Sequence, residues 1–196
     1  MLIKTIKIDF NYLKSNEIIS FIYFKNILSL LENFKNEYPD IKQWFYKKVL
    51  KGIKTKNRTI ILKIYNSKLC GLAILKHNNK EKKICTLYVK ENFRNRKLGT
   101  ELVEQSLYIL NCDKPLVTVS SKRLIEFSNL FRKFKFELYA AYPDYYVKGL
   151  TEYTFNGFLK KETYKYNLTV LHLNKNYFLT NHSSGRAILP AAEFGR

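Results

Sequence analysis

Between Thr86 and Leu110 the chain reads TLYVKENFRNRKLGTELVEQSLYIL. An apolar run from Thr86 to Val89 meets Arg94, Arg96, Lys97 and Gly99, and an amphipathic run follows at once. The chemistry these types can do together is anion binding. A helix N-terminus carries unpaired N–H groups and about half a positive charge. A glycine there lets the backbone approach a phosphate, and nearby cations add charge. The same residues also read as a solvated basic turn ahead of a surface helix. They are neither a GxxxxGK[ST] phosphate loop nor a three-glycine dinucleotide fingerprint, since both spacings are missing.

Other chemistry-bearing types are scattered. Cys70, Cys85 and Cys112 lie in apolar runs without metal-ligand spacing, which predicts reduced thiols in a cytoplasmic protein. His77, His172 and His182 are far apart, and no zinc site is expected. Cys85 lacks a histidine partner, so burial is a better reading of it than nucleophilic catalysis.

The elements that must position the cluster follow from hydrophobic periodicity. Leu2 to Asp9 alternates as a first strand. One or two helices run from a cap-like Asn16 to Pro39, and another follows, capped by Asp40 and stopped by Gly52. Arg58–Asn66, LCGLAILKHN and Lys83–Val89 are separated by turn residues and predict an antiparallel meander. Leu98, Leu102, Val103, Leu107 and Leu110 form a helical stripe. KPLVTVS is a strand, Lys122 to Phe134 a second helix, and FELYAAYP with YYVKGLTEYTFNG a closing hairpin-like pair. The fold class expected is α/β: a mixed central sheet of about six or seven strands, an antiparallel meander leading into a βαβ crossover, flanked by helices.

Leu87-Tyr88-Val89 followed by Arg94-Asn95-Arg96-Lys97-Leu98-Gly99 and a helix resembles the signature of the GNAT superfamily, the acyl-CoA-dependent N-acyltransferases. That signature is a strand ending in valine, a short link, then Arg/Gln-x-x-Gly-x-Gly/Ala opening a helix. The element order from Leu2 to about Gly157 resembles the same fold. The resemblance implies acetyl-CoA as cosubstrate. Backbone groups of Leu87, Tyr88 and Val89 would meet the pantetheine arm. Amides from Arg94 to Thr100, with Asn95, Leu98 and Gly99 among them, would hold the pyrophosphate, and Arg94, Arg96 and Lys97 would add charge. Lys97 stands where the pattern has its first glycine. If that position needs φ > 0, lysine costs about 1 kcal/mol.

Acyl transfer needs a neutral amine and a proton for the leaving thiolate. Members of the family often use a glutamate on the strand before the cradle and a tyrosine in Leu-Tyr-x-x-x-Gly-Phe. Here the strand offers Lys83-Ile84-Cys85-Thr86, and the second motif reads Leu130-Phe131-Arg132-Lys133-Phe134-Lys135-Phe136. Both usual proton handlers are substituted, and Phe131 is left as a coenzyme-side residue. Three explanations stay open. Water and positioning suffice; one of Tyr139, Tyr142, Tyr145 or Tyr146 substitutes; or the chain binds without catalysis. Trp44, Lys47 and Lys48 are candidates for the acceptor side, against a plainer reading of Trp44 as a core anchor and the lysines as solvated.

The chain has 35 Lys and Arg against 16 Asp and Glu, a formal charge of +19. Either an anionic partner or an A/T-rich coding bias accounts for it. The sharpest reading follows the toxin branch that the family resemblance brings in: acetylation of the amino group of charged tRNA, with an acidic antitoxin as partner. The alternatives are a protein or small-molecule amine as acceptor, or a catalytically dead module that binds coenzyme A or a partner. No long apolar run predicts a membrane span, the start lacks a signal-peptide centre, and a homodimer is among the expected assemblies. Residues 1–157 read as the acyltransferase domain and 158–180 as an extension with an extra strand. Residues 181–196 read as a disordered or vector-derived tail.

Overall fold

A computed structural model describes residues 2–159. The expected extension and tail lie outside the described residues, apart from the extension's first two positions. Seven strands form one sheet in the order β1-β2-β3-β4-β5-β7-β6. They are β1 Lys4–Ile8, β2 Arg58–Tyr65, β3 Lys68–Asn78, β4 Glu81–Val89, β5 Leu116–Ser120, β6 Leu138–Pro143 and β7 Thr151–Phe155. β1 to β4 pair antiparallel, and β4 pairs with β5 in parallel. The crossover between β4 and β5 is helix α5, Leu98–Leu110, so the expected α/β sheet with its meander and βαβ switch is what the chain forms. β7 lies between β5 and β6 and is antiparallel to both.

Helices cover both faces. On one face lie α1 Phe10–Ser15, α2 Glu17–Leu31, α3 Ile41–Trp44 and α4 Lys51–Lys54, with a π-helical stretch, Phe45–Leu50, joining the last two. Their apolar residues, Phe24, Ile27, Leu31, Phe45 and Val49, pack on Ile60, Leu62, Leu72 and Ile74. On the other face α5 and α6, Leu124–Lys133, press Leu102, Val103, Leu110 and Phe131 onto Ile61, Ala73, Leu75 and Val117. β2 is buried on both faces, which is why RTIILKIY reads as a near-continuous apolar run.

Three local expectations are corrected. The first helix starts at Phe10, capped by Asp9, whose carboxylate accepts from the Tyr12 amide at 2.9 Å. Asn16 caps nothing with its side chain; its amide donates back to the Tyr12 carbonyl at 3.2 Å. Gly52 does not stop a helix. The helix runs on through Lys54, and a Cβ at Gly52 would fall 2.7 Å from Cγ of Arg58. The missing side chain makes room for Arg58 to cross beneath the helix.

Two ties fix the elements around the cleft described below. Lys63, buried on β2, reaches Glu101 in the first turn of α5 at 2.8 Å and Thr5 at 3.0 Å. An acid in that turn also suits the helix dipole. Phe131 of α6 packs on Phe155 at 4.4 Å between ring centroids and on Phe127 and Phe136. Truncation of so enclosed a ring leaves a cavity, so Phe131→Ala is expected to cost about 3–5 kcal/mol in urea unfolding. Gly52→Ala should cost about 1–3 kcal/mol by overpacking against Arg58, with unchanged m-value.

Candidate active site

Only two residue pairs join β4 to β5, Lys83 with Leu116 and Ile84 with Val117. Beyond them the strands part. The parting coincides with a bulge: Ile74 pairs with Thr86 and Leu75 with Ile84, leaving Cys85 as the extra residue on β4. From Cys85 to Val89, β4 therefore has no ladder on its β5 side. The gap opens into a cleft of about 1090 Å³. Leu87, Tyr88 and Val89 line one wall, Val117 to Val119 the other, and Leu130 and Phe131 of α6 lie on the same cleft. An edge of unpaired strand amides and carbonyls suits an extended ligand carrying amides of its own.

At one end lies the basic turn. Asn95 has φ of 59° and Lys97 of 63°, both left-handed, and Lys97 sits at the N-cap of α5 without a side-chain cap bond. The first-turn amides are thus left for a ligand. Gly99 lies inside the helix at ordinary φ, and a Cβ there would meet protein atoms only at 3.8 and 3.9 Å. No protein contact requires this glycine; a Cβ would instead project toward the cleft that Gly99 lines. The turn, the uncapped amides and the open strand edge fit a coenzyme A pyrophosphate and pantetheine arm. Arg94, Asn95, Lys97, Gly99 and Thr100 line the cleft, whereas Leu98 is buried beneath it. Arg94 is held by Glu126 at 3.2 Å and donates to the Val89 carbonyl at 3.3 Å. Arg96 is exposed, with its guanidinium over the Phe93 ring.

The other end is aromatic and polar. Trp44 lines it with the guanidinium of Arg58 over its ring at 5.5 Å, while Arg58 also donates to Cys85 Sγ at 3.2 Å. Lys47 and Lys48 are exposed on the π-helical stretch outside the cleft lining. Of the four tyrosines, Tyr146 alone lines the cleft, edge-on to Tyr38 at 5.1 Å. Tyr145 bridges Tyr142 and Tyr146. Tyr142 is buried with its hydroxyl accepting from the Leu159 amide, and Tyr139 packs against Phe158.

Here the structure adds residues that sequence reasoning passed over. Glu152 of β7 is 3% exposed. The Tyr38 hydroxyl lies 3.3 and 3.4 Å from its two oxygens. Burial pushes its carboxyl up to about 7, against the opposing pull of the Thr118 hydrogen bond, the Lys83 charge and the Tyr38 hydrogen bond, and Glu37 adds to the rise. Burial and Glu152 together raise Tyr38 well above an ordinary phenol. Beside them Arg123 clasps Glu37, with nitrogen–oxygen distances of 3.0 and 3.1 Å. The available signal was an acid at an inward position of a strand, between Thr151 and Tyr153; alternation alone marks the position but not its partners, which come from distant segments. Among the described residues no cluster could hold a metal ion, and no helix is long and apolar enough to cross a membrane.

A sequence model of the acetyltransferase (GNAT) family matches residues 21–114. No curated protein matches the chain. Among solved structures, a protein of Desulfovibrio desulfuricans assigned to the GNAT family aligns over 79% of this chain and 97% of its own, with a TM-score of 0.57 at 8% identity. Escherichia coli ElaA aligns over 78% and 98%, with a TM-score of 0.52 at 16% identity. A protein of Staphylococcus epidermidis assigned as an acetyltransferase aligns over 79% and 97%, also with a TM-score of 0.52 at 16% identity. These likenesses are likenesses of fold. The acetyltransferase (GNAT) family's sequence pattern spans strand, basic turn and helix here, and whole folds of that kind lie over the same sheet, so the chain has the GNAT acetyltransferase fold.

Proposed function

We propose that the protein moves an acetyl group from acetyl-CoA to a primary amine carried by an anionic macromolecule, with charged tRNA as the acceptor that fits best. The observation that carries this reading is the contrast between the two ends of the cleft and its charge. Seven cations and three acids line it, while its far end is closed by aromatic rings. A cationic approach favours a polyanion, and an aromatic end beside a carboxylate favours an ammonium group. An aminoacyl group on a nucleic acid has both features. A small polyamine would gain nothing from the cationic lining.

The bound coenzyme supplies the activated acyl group. The chain's own residues do the rest. First-turn amides of α5, with Lys97 and Arg94, would hold the pyrophosphate. The open edge of β4 would align the pantetheine arm, and Leu130 and Phe131 would keep water from it. Acetylation of a protein or small-molecule amine is the alternative for the same site. A non-catalytic binding module is the reading that Phe131 and the missing β4 glutamate favour from sequence; Glu152, a buried carboxylate beside the cleft, speaks against it. An acidic antitoxin-like partner and a homodimer belong to the same proposal.

Calorimetric titration of acetyl-CoA should give micromolar binding, and Gly99→Trp should weaken it at least tenfold with the circular dichroism spectrum retained. Equal binding by the variant would remove the cradle from the coenzyme site. With aminoacyl-tRNA as acceptor, kcat/KM should fall steeply between 50 and 200 mM salt. Acetylation of peptides or polyamines with little salt dependence, and none of tRNA, would overturn the acceptor assignment.

A further inference from the structure

Glu152 is a carboxylate buried to 3% exposure on β7. Among the described residues no cation lies within ion-pair distance of it; Arg123 pairs with Glu37 and Glu126 instead. Its direct partners are two hydroxyls, those of Tyr38 and Thr118. A buried carboxylate supported by neutral hydroxyls bears its desolvation without the compensation an ion pair gives. Such an arrangement makes poor sense as a structural tie and good sense as a proton acceptor.

The surroundings point the same way. Tyr38 stands at the end of the α2 to α3 connection and lines the cleft, and its hydroxyl meets Glu152, which is buried and is not itself among the lining residues. Tyr146 closes the cleft edge-on to Tyr38, and Lys83 comes from β4 at the last paired position before the strands part. The titratable and charged groups that face Glu152 are therefore Tyr38 and Glu37 from the α2–α3 connection, Lys83 from β4, and Tyr145 and Tyr146 from the β6–β7 loop. The separations of 3.3 and 3.4 Å are long for a hydroxyl–carboxylate bond and leave room for the contact to shorten.

We propose that Tyr38 and Glu152 form the proton-accepting pair for the acceptor amine, with the Tyr38 hydroxyl meeting the amine and Glu152 taking the proton. This rests on the acetyltransferase reading above. The step balances as follows. The acceptor ammonium gives one proton to Tyr38 Oη while Tyr38 passes its own hydroxyl proton to a Glu152 carboxylate oxygen. That leaves a neutral amine, a neutral phenol and a protonated Glu152. The amine nitrogen then bonds to the thioester carbonyl carbon, the carbon–sulfur bond breaks, and the thiolate takes the proton that the nitrogen sheds on becoming an amide. Glu152 returns its proton to solvent. Tyr38 is the catalytic residue; Glu152 acts through it and is the positioning and storage group. Tyr38 is too weak an acid to serve as a base alone, and Glu152 is too deep to touch the amine alone.

Two measurements test the pair. The first needs neither coenzyme nor acceptor. In protein labelled with 13C-carboxyl glutamate, the Glu152 resonance, assigned by its loss in Glu152→Gln, should titrate near pH 7. Tyr38→Phe should move that midpoint upward, because the lost hydrogen bond favours the charged carboxylate. A midpoint in the ordinary carboxylate range, or one unmoved by Tyr38→Phe, overturns the proposal whatever the activity. The second uses acetyl-CoA with aminoacyl-tRNA, and a peptide with a free amino terminus if tRNA is not acetylated. Wild-type kcat should fall on the acid side of pH 7. Glu152→Gln, which keeps the side-chain volume, should lower kcat about 10²-fold and flatten that limb while leaving acetyl-CoA affinity unchanged. A Glu152→Gln variant with full kcat and the same acid limb sinks the pair while sparing the transferase reading. A wild type that binds no acetyl-CoA sinks the transferase reading and, with it, the pair's role in acetyl transfer, whatever the titration shows.

Discussion

The early separation of β4 from β5 is the constraint on which the rest of this molecule depends. Two parallel strands that paired along their length would leave no cleft. Here β4 stays with β3 to Val89, while β5 is held by β7 from Val117 to Ser120. Each strand is committed to its outer neighbour, and the bulge at Cys85 adds local twist just where the shared ladder ends. The wedge that results exposes strand edge to a ligand, which a soluble protein otherwise takes care to cover. α5 and α6 roof one side of it, and the α2–α3 connection and α3 bring Tyr38 and Trp44 to the other end.

The chain builds its turns with little glycine. It has only seven glycines, and of the described residues nine non-glycine positions carry positive φ. Four of these, Asn66, Asn95, Asn111 and Asn156, are asparagines, which tolerate that region through local side-chain bonding. Lys97 and Lys135 are different. Both stand where the family pattern has glycine, and both keep the left-handed backbone, with φ of 63° and 52°. The geometry has been retained at a cost of about 1–2 kcal/mol at each position. At Lys97 the substitution adds a cation to the mouth of α5. At Lys135 the side chain is exposed, and nothing in the structure explains the lysine.

Charge is distributed in two layers. The cleft mouth and the outer helices carry lysine and arginine, while two acids are buried behind the cleft: Glu37, paired with Arg123, and Glu152, without an ion-pair partner among the described residues. On the proposed reading, cationic surroundings would draw in an anionic acceptor, and the interior acid would meet the one positive group it carries. Burial raises Glu152 to near neutrality, so the same folding that hides it also sets its affinity for a proton.

The sheet, the crossover and the basic turn were legible in the sequence because each depends on residues close together in the chain. Alternation sets strands, a 3.6-residue stripe sets α5, and Arg94 to Gly99 form one continuous turn. Where the sequence misled, as at Gly52, the determining neighbour was elsewhere: Arg58, six residues on, is brought under the helix by the β2 pairing. The meeting of Tyr38 with Glu152 was decided by tertiary structure alone. Tyr38, Thr118 and Glu152 come from three separate elements, and Glu152 meets Tyr38 across 114 residues. No periodicity records such a meeting. The residue types of the proposed coenzyme cradle are written in the sequence because a helix N-terminus is local; the proposed proton-handling pair is not, because it exists only where β7 inserts between β5 and β6 and carries its one buried acid to the α2–α3 connection.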